Sequence, residues 1–308
     1  REIRTFRLEQ PIFGHNSVKF SPDGRYLASA EADGFIRLWD IAIGKELKKF
    51  PLSISEKLEK NEFTTGSAVA IAFSPNGKSL VVAATIYIYN GEKLIRSKGI
   101  VNIWDVKTGK LNKIIPVHAE RISDMALSPD GEYALLGCEE PDNTVRLLDM
   151  KTGKELRKFA GHSKTVRSVT VSPDGEYVAS GSEDKTIVMW HIKTGQKIKT
   201  FTNPQRYERF SIAFSPDGKR LIVSGLEEME LWDVSSGQVA ATFKGYGINP
   251  WTVMFSPDGR QVAFSYSHAV AMWDISAVAH GAVYHIDQDE AKMYGYSMGK
   301  LKTFGGNV

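Results

Sequence analysis

The stretch HGAVYHIDQDEAKMYGYSMGKL, residues 280–301, gathers side chains that could do chemistry. It holds His280 and His285, the carboxylates Asp287, Asp289 and Glu290, and a G-Y-S-M-G over 295–299. Three reactions can be written on it. A G-x-S-x-G set on a strand–turn–helix would expose Ser297 as a nucleophile. Alternating His and Asp could hold a cation. Histidine beside carboxylates could transfer protons. Each needs a setting that the neighbouring residues do not give. No Asp or His follows Ser297, so a triad in the order Ser, acid, His cannot be completed. A calcium loop opening at Asp287 calls for Gly at its sixth place and Glu at its twelfth, where Lys292 and Met298 stand. The chain has one cysteine, no H-E-x-x-H, no G-x-x-x-x-G-K-[ST] and no G-x-G-x-x-G. The expectation is no catalytic residue, no metal and no cofactor.

Composition narrows the class further. The 308 residues are 42% hydrophobic and 24% charged, as in a soluble globular chain with a full core. The formal net charge of +3 and the lack of a block of like charges give no nucleic-acid footprint. No apolar run reaches the roughly 18 residues of a membrane span. A lone cysteine, Cys138, fits a reducing compartment, so a cytoplasmic location is expected.

The elements that must position any site come from a repeat. S-P-[DN]-G recurs with its serine at 21, 74, 128, 172, 215 and 256, spaced 53, 54, 44, 43 and 41 apart. Each copy leads to a Trp-Asp-like pair: Trp39-Asp40, Trp104-Asp105, Leu148-Asp149, Trp190-His191, Trp232-Asp233 and Trp273-Asp274. A period in the low forties with four short strands per copy is the signature of a propeller blade. Pro presets φ and Gly accepts φ > 0, so S-P-D-G reads as a turn between the first two strands. Such a sheet cannot bury both faces alone, so neighbouring copies must stack.

With Gly-His, S-P-D-G and Trp-Asp at these spacings, the chain resembles the WD40-repeat family, of the near-consensus prokaryotic type, over about residues 2–275. The resemblance implies a hydrogen-bonded tetrad of His, Ser, Asp and Trp in a blade. Only the fourth copy carries all four: His162, Ser180, Asp184 and Trp190. The first keeps Ser29, Asp33 and Trp39, with Gly14-His15 too close to the next turn. The third keeps His118 and Asp142 but has Leu148 for Trp. The resemblance also implies a seven-bladed, all-β propeller of four-stranded antiparallel blades, or part of a larger or double one. Blades are expected at about 12–50, 66–115, 118–159, 162–201, 205–243 and 247–275. Residues 276–308 would form a degenerate seventh blade, with strands at 282–286, 291–294 and 300–304. Residues 2–6 would close the ring. Trp273 and Tyr294 are only 21 apart, about twenty residues short of the period. Glu2–Phe6 and Phe304-Gly305-Gly306 both read as parts of further repeat, which suggests one domain of a longer protein.

In such a meander the first-to-second and third-to-fourth turns share one face, and here they are short and uniform. The other connections carry the variation: 51–65, 85–98 with Asn90-Gly91 as a hairpin tip, and Glu139–Asn143. Variable loops on a rigid scaffold are where binding usually sits. First-strand positions that the resemblance places at a channel rim add Arg121, Arg167, Phe210 and Trp251, with Glu183, Arg206 and Tyr246 near them. Trp, Tyr and Arg most often anchor protein interfaces. These positions equally fit a plug and its ion pairs, Arg167 with Glu183 among them. The expected function is a non-catalytic scaffold or sensor that binds a protein or peptide, or another domain of the same polypeptide. A propeller enzyme or small-ligand binder using the channel is the alternative.

Overall fold

The computed structural model describes residues 18–30, 34–54, 58–202, 211–225, 228–244, 250–266, 269–276, 278, 281–285, 298–299 and 302–303. It is all-β, and among the described residues there is no helix, hence none able to cross a membrane. Six sheets follow one another along the chain. The first holds β1 (Val18–Phe20), β2 (Tyr26–Ala30), β3 (Phe35–Asp40) and β4 (Lys45–Pro51). The second holds β5 (Glu62–Phe73), β6 (Ser79–Asn90), β7 (Lys93–Asp105) and β8 (Leu111–Pro116). The third holds β9 (Ile122–Leu127), β10 (Tyr133–Cys138), β11 (Val145–Asp149) and β12 (Glu155–Phe159). The fourth holds β13 (Val166–Val171), β14 (Tyr177–Ser182), β15 (Thr186–His191) and β16 (Lys197–Thr202). β17 (Ile212–Phe214), β18 (Arg220–Ser224), β19 (Glu228–Asp233) and β20 (Val239–Lys244) form the fifth, and β21 (Pro250–Phe255), β22 (Gln261–Tyr266) and β23 (Ala269–Asp274) the sixth. These are the four-stranded antiparallel blades of a β-propeller, with strands paired in chain order.

The turn serines and aspartates explain why the motif repeats. In the first blade Ser21 Oγ donates to Asp23 Oδ1, Asp23 accepts from the Arg25 N–H, and Ser21 Oγ accepts from the Tyr26 N–H. The same three bonds recur at Ser128, Ser215 and Ser256, and with Asn76 in place of Asp at Ser74. The Asp of each Trp-Asp pair caps the next turn in the same way. Asp105 accepts from Thr108, Asp149 from Thr152 and Asp233 from Ser236. In the fourth blade His191 Nδ1 takes that role, accepting from the Thr194 N–H. The carboxylates of the motif are thus committed to backbone N–H groups that would otherwise lose partners.

Contacts divide the chain into two compact units, Ile3–Val166 and Arg167–Val308. In the first, Phe50, Leu38 and Ala28 of blade one pack on Ile71, Leu80 and Trp104 of blade two. Val101 and Ile115 of blade two pack in turn on Met125, Leu136 and Leu148 of blade three. In the second, Phe201 and Ile187 of blade four meet Ile212 and Trp232 of blade five, and Phe243 and Leu231 of blade five meet Val253 and Trp273 of blade six. A fourth-strand Phe lies against the third-strand Trp of the next blade at Phe50–Trp104, Phe201–Trp232 and Phe243–Trp273, with ring centres 5.5, 5.7 and 5.6 Å apart. Between blades two and three Ile115 and Leu148 take that place. Burying each such side chain contributes roughly 1.5–3 kcal/mol.

Two expectations need correction. Six blades are present among the described residues, not seven. The segment after blade six adds its strands to existing edges: β24 (Ala282–His285) pairs parallel to β20, and β25 (Met298–Gly299) parallel to β23. β26 (Lys302–Thr303) pairs antiparallel to β24. A segment too short to build a sheet satisfies its backbone on open edges. Tyr284 secures β24 by stacking on Phe243 at 5.4 Å. The expected strand 291–294 and the ring-closing 2–6 lie outside the described residues. Second, 62–65 and 85–98 are not irregular loops. They lengthen β5, β6 and β7 to 12, 12 and 13 residues, against about six in the other blades.

Candidate interaction surface

The tetrad of blade four is structural where it is described. Trp190 Nε1 donates to Ser180 Oγ at 3.0 Å, and Asp184 accepts from both the N–H and the hydroxyl of Thr186. His162 is buried. Blade one repeats the indole bond from Trp39 to Ser29 at 2.9 Å. The other blades solve the same problem differently. In blade five Trp232 donates to Glu230, a carboxyl that burial pushes up. In blade two Trp104 Nε1 is buried with no partner among the described residues.

Blade three replaces the tetrad with charge. Arg146 donates to Asp142 at 2.7 Å and to Glu155 at 2.6 Å, and Lys158 meets Asp142 at 2.6 Å. Burial alone would raise the Asp142 carboxyl. Hydrogen bonds from Arg146 and Lys158 outweigh it and hold the group at about 2. His118 lies 3.5 Å from Glu155 on the exposed side of this cluster. Cys138, beside it, is buried, and burial pushes its thiol well up.

The candidate residues separate on inspection. Arg167 is bound to Glu183, with Nε 2.7 Å and Nη2 2.5 Å from the same carboxylate oxygen. This is the ion pair that its sequence position allowed. Trp251 lies in β21. Arg206, Phe210 and Tyr246 lie outside the described residues. Arg121 turns towards a partner that sequence reasoning missed: its guanidinium stands 5.9 Å from the ring centre of Tyr87. Burial raises the Tyr87 phenol; the Arg121 charge opposes the shift and Glu139 adds to it. First-strand hydroxyls instead bridge blades. Ser168 Oγ accepts from the Ile212 N–H at 3.2 Å, and Ser211 Oγ from the Val253 N–H at 3.3 Å. Ser123 Oγ donates to the Val166 carbonyl.

Tyr87 belongs to the lengthened part of blade two, which holds itself together. On one face Ile86, Ile88 and Ile100 form a small core with Leu52, Ile54 and Leu58. Asn102 fixes the approach to it by exchanging bonds with the N–H and carbonyl of Ser53, both 3.0 Å. Gly66 lets Leu52 come close, since a Cβ there would stand 2.8 Å from its Cδ1. Arg96 grips Glu62 with two bonds of 2.7 and 3.2 Å and, with the Glu59 N–H, holds that carboxyl below its usual range. The opposite face carries cross-strand rows. Phe63, Tyr89 and Leu94 are opposed in one row, and Thr65, Tyr87 and Ser97 in the next. Phe63 stacks on Tyr89 at 5.4 Å, yet Phe63, Leu94 and Ile95 remain 48%, 39% and 45% exposed. The alternation Thr85-Ile86-Tyr87-Ile88-Tyr89 is the signal that reveals this face as strand rather than loop.

Comparison with known proteins agrees with this architecture. The family model for the WD domain, G-beta repeat, matches residues 4–40, 109–149 and 153–191. A guanine nucleotide-binding protein subunit beta from Oryza sativa subsp. indica is 28% identical over 141 residues, 44% of this chain and 32% of the relative. WD repeat-containing protein 1 from Mus musculus is 28% identical over 229 residues, 73% of this chain and 34% of the relative. Apoptotic protease-activating factor 1 from Rattus norvegicus is 30% identical over 138 residues, 42% of this chain and 10% of the relative. The chain thus spans about a third of the length of the first two. Repeat spacing, blade pairing and these matches together place the chain in the WD40-repeat family.

Proposed function

We propose that this chain is a non-catalytic interaction module, binding a protein or peptide through the lengthened part of blade two. The observation that carries the reading is the exposed row Phe63–Tyr89–Leu94 on a sheet extension with its own small core. Exposed aromatic and aliphatic side chains on a rigid projection are the composition of an interface anchor. The relatives named for G-protein and WD-repeat function support a scaffold role. A reducing, cytoplasmic setting is part of the proposal, consistent with the single buried thiol. Arg167 and Trp251 remain secondary candidates for the same partner.

Affinity capture tests it with the intact chain, a chain in which Asn-Gly replaces residues 85–98, and the Arg167→Ala and Trp251→Ala variants. Loss of specific captured proteins with the shortened chain is expected, at unchanged thermal stability of the other blades. The point variants should weaken capture about tenfold if those residues are anchors. An identical captured set at equal yield from the shortened chain would assign binding elsewhere.

A further inference from the structure

The lengthened β7 has an unusual edge. β8 pairs with it only from Ile100 to Trp104. One step further, Gly99 donates to the Ala119 carbonyl at 2.8 Å and accepts from the Val117 N–H at 3.0 Å. The backbone of Gly99 therefore points away from β6. Alternation along a strand directs the N–H and C=O of Ser97 to the same side. There, among the described residues, no strand pairs with Lys93–Lys98. An edge of this kind is a template for one more strand.

The side chains beside that edge state what strand would fit. An added strand continues the rows of the sheet. On one face it would stand beside Leu94 of the exposed apolar row, then beside Ser97 with Arg121 near. On the other face lie Lys93, Arg96 and Lys98, opposite Asn90, Ile88 and Ile86, with no acid among residues 93–98. Glu62 already engages Arg96, so the surplus of positive charge rests with the lysines. We infer that this edge takes up an extended peptide whose residues alternate apolar and acidic, added as a further strand to blade two. The inference rests on the interaction-module reading and names its mode and its partner's chemistry.

The test uses the full chain against a display library of short random peptides, followed by titration of the enriched sequences. Enrichment of alternating apolar and Asp/Glu residues is expected. Ser97→Pro removes an outward N–H without touching a bond to β6, and should cost about tenfold or more in affinity; Ser97→Ala should cost little. Leu94→Asp should abolish binding of the same peptides. A second measurement is independent of the folding of the proline variant. N-methylation along the peptide should destroy binding at alternate positions only. Binding indifferent to both Ser97→Pro and the methylation register overturns the strand-addition inference, while capture through the extension would still stand. Enriched peptides without the acidic alternation, or no enrichment, overturn it as well.

Discussion

At the residue scale, the Trp of the repeat is a packing element with a donor to satisfy, and the blades differ in how they satisfy it. Ser29 and Ser180 serve Trp39 and Trp190, and Glu230 serves Trp232. The register identifies the missing partner in blade two. Ser29 opposes Arg37 and Ser180 opposes Val188, each two residues before its Trp; Val82 opposes Asn102, two before Trp104. Val82 is fully buried, and Trp104 Nε1 has no partner among the described residues. Val→Thr in a core costs about 1–2 kcal/mol when the new hydroxyl is left unpaired. At position 82 the hydroxyl would accept from the indole, so Val82→Thr should be neutral or stabilise by up to about 1 kcal/mol. Val101→Thr, equally buried in the core between blades two and three, should show the ordinary loss. Urea midpoints of the two variants decide it. Equal destabilisation would mean that the indole gains nothing from the new group.

At the element scale, much of the blade was legible because turn chemistry and strand alternation are local. S-P-D-G announces its turn through Pro and Gly, and Thr186–Trp190 announces its strand. What each element touches was not legible, because it depends on residues about forty positions away. The turn proline is one instance. Pro22 lies under Gly77, Pro75 under Gly131, Pro173 under Gly218 and Pro216 under Gly259, so each turn packs on its successor. The lengthened blade two is another: its insertions were visible, but whether inserted residues pair is decided by the partner strand. The strands of 282–303 illustrate the limit most plainly, since open edges of earlier blades determined their pairing. The turn packing yields a contrast between two glycines of equal backbone geometry. Gly24 has φ +68° and nothing within 4 Å of an added Cβ; Gly131 has φ +74° and Pro75 Cδ at 2.7 Å. Gly24→Ala should cost about 1 kcal/mol for the left-handed backbone alone. Gly131→Ala should cost roughly 2–3 kcal/mol, because the next blade's contact is strained as well. Equal shifts in denaturation midpoint would show that turn-to-turn packing contributes nothing.

At the scale of the whole molecule, the repeat multiplies one electrostatic device. Hydrogen bonds from the turn serine and backbone hold Asp23, Asp130, Asp217 and Asp258 below the ordinary carboxylate range. Hydrogen bonds from the following turn do the same for Asp105, Asp149 and Asp274, and hold Asp233 at about 2. Asp142 reaches about 2 through Arg146 and Lys158 despite its burial. A carboxyl whose folded pKa lies below its unfolded value stabilises the fold above the unfolded pKa, and loses that contribution as pH falls through the folded one. The unfolded value is near 4, so this stabilisation should be complete at neutral pH and lost between about pH 4 and pH 2. Both compact units carry the device, so both should weaken over the same interval. The exposed turn carboxylates are held by short hydrogen bonds rather than by distant charge, so added salt should shift the transition little. Urea midpoints measured from pH 7 to pH 2, with and without salt, test this. Asp233→Asn should flatten the acid limb for the unit 167–308, and Asp142→Asn for the unit 3–166. A midpoint that falls between pH 7 and pH 5, or one that salt abolishes, would transfer the acid sensitivity from the turn aspartates to the histidines or to long-range charge.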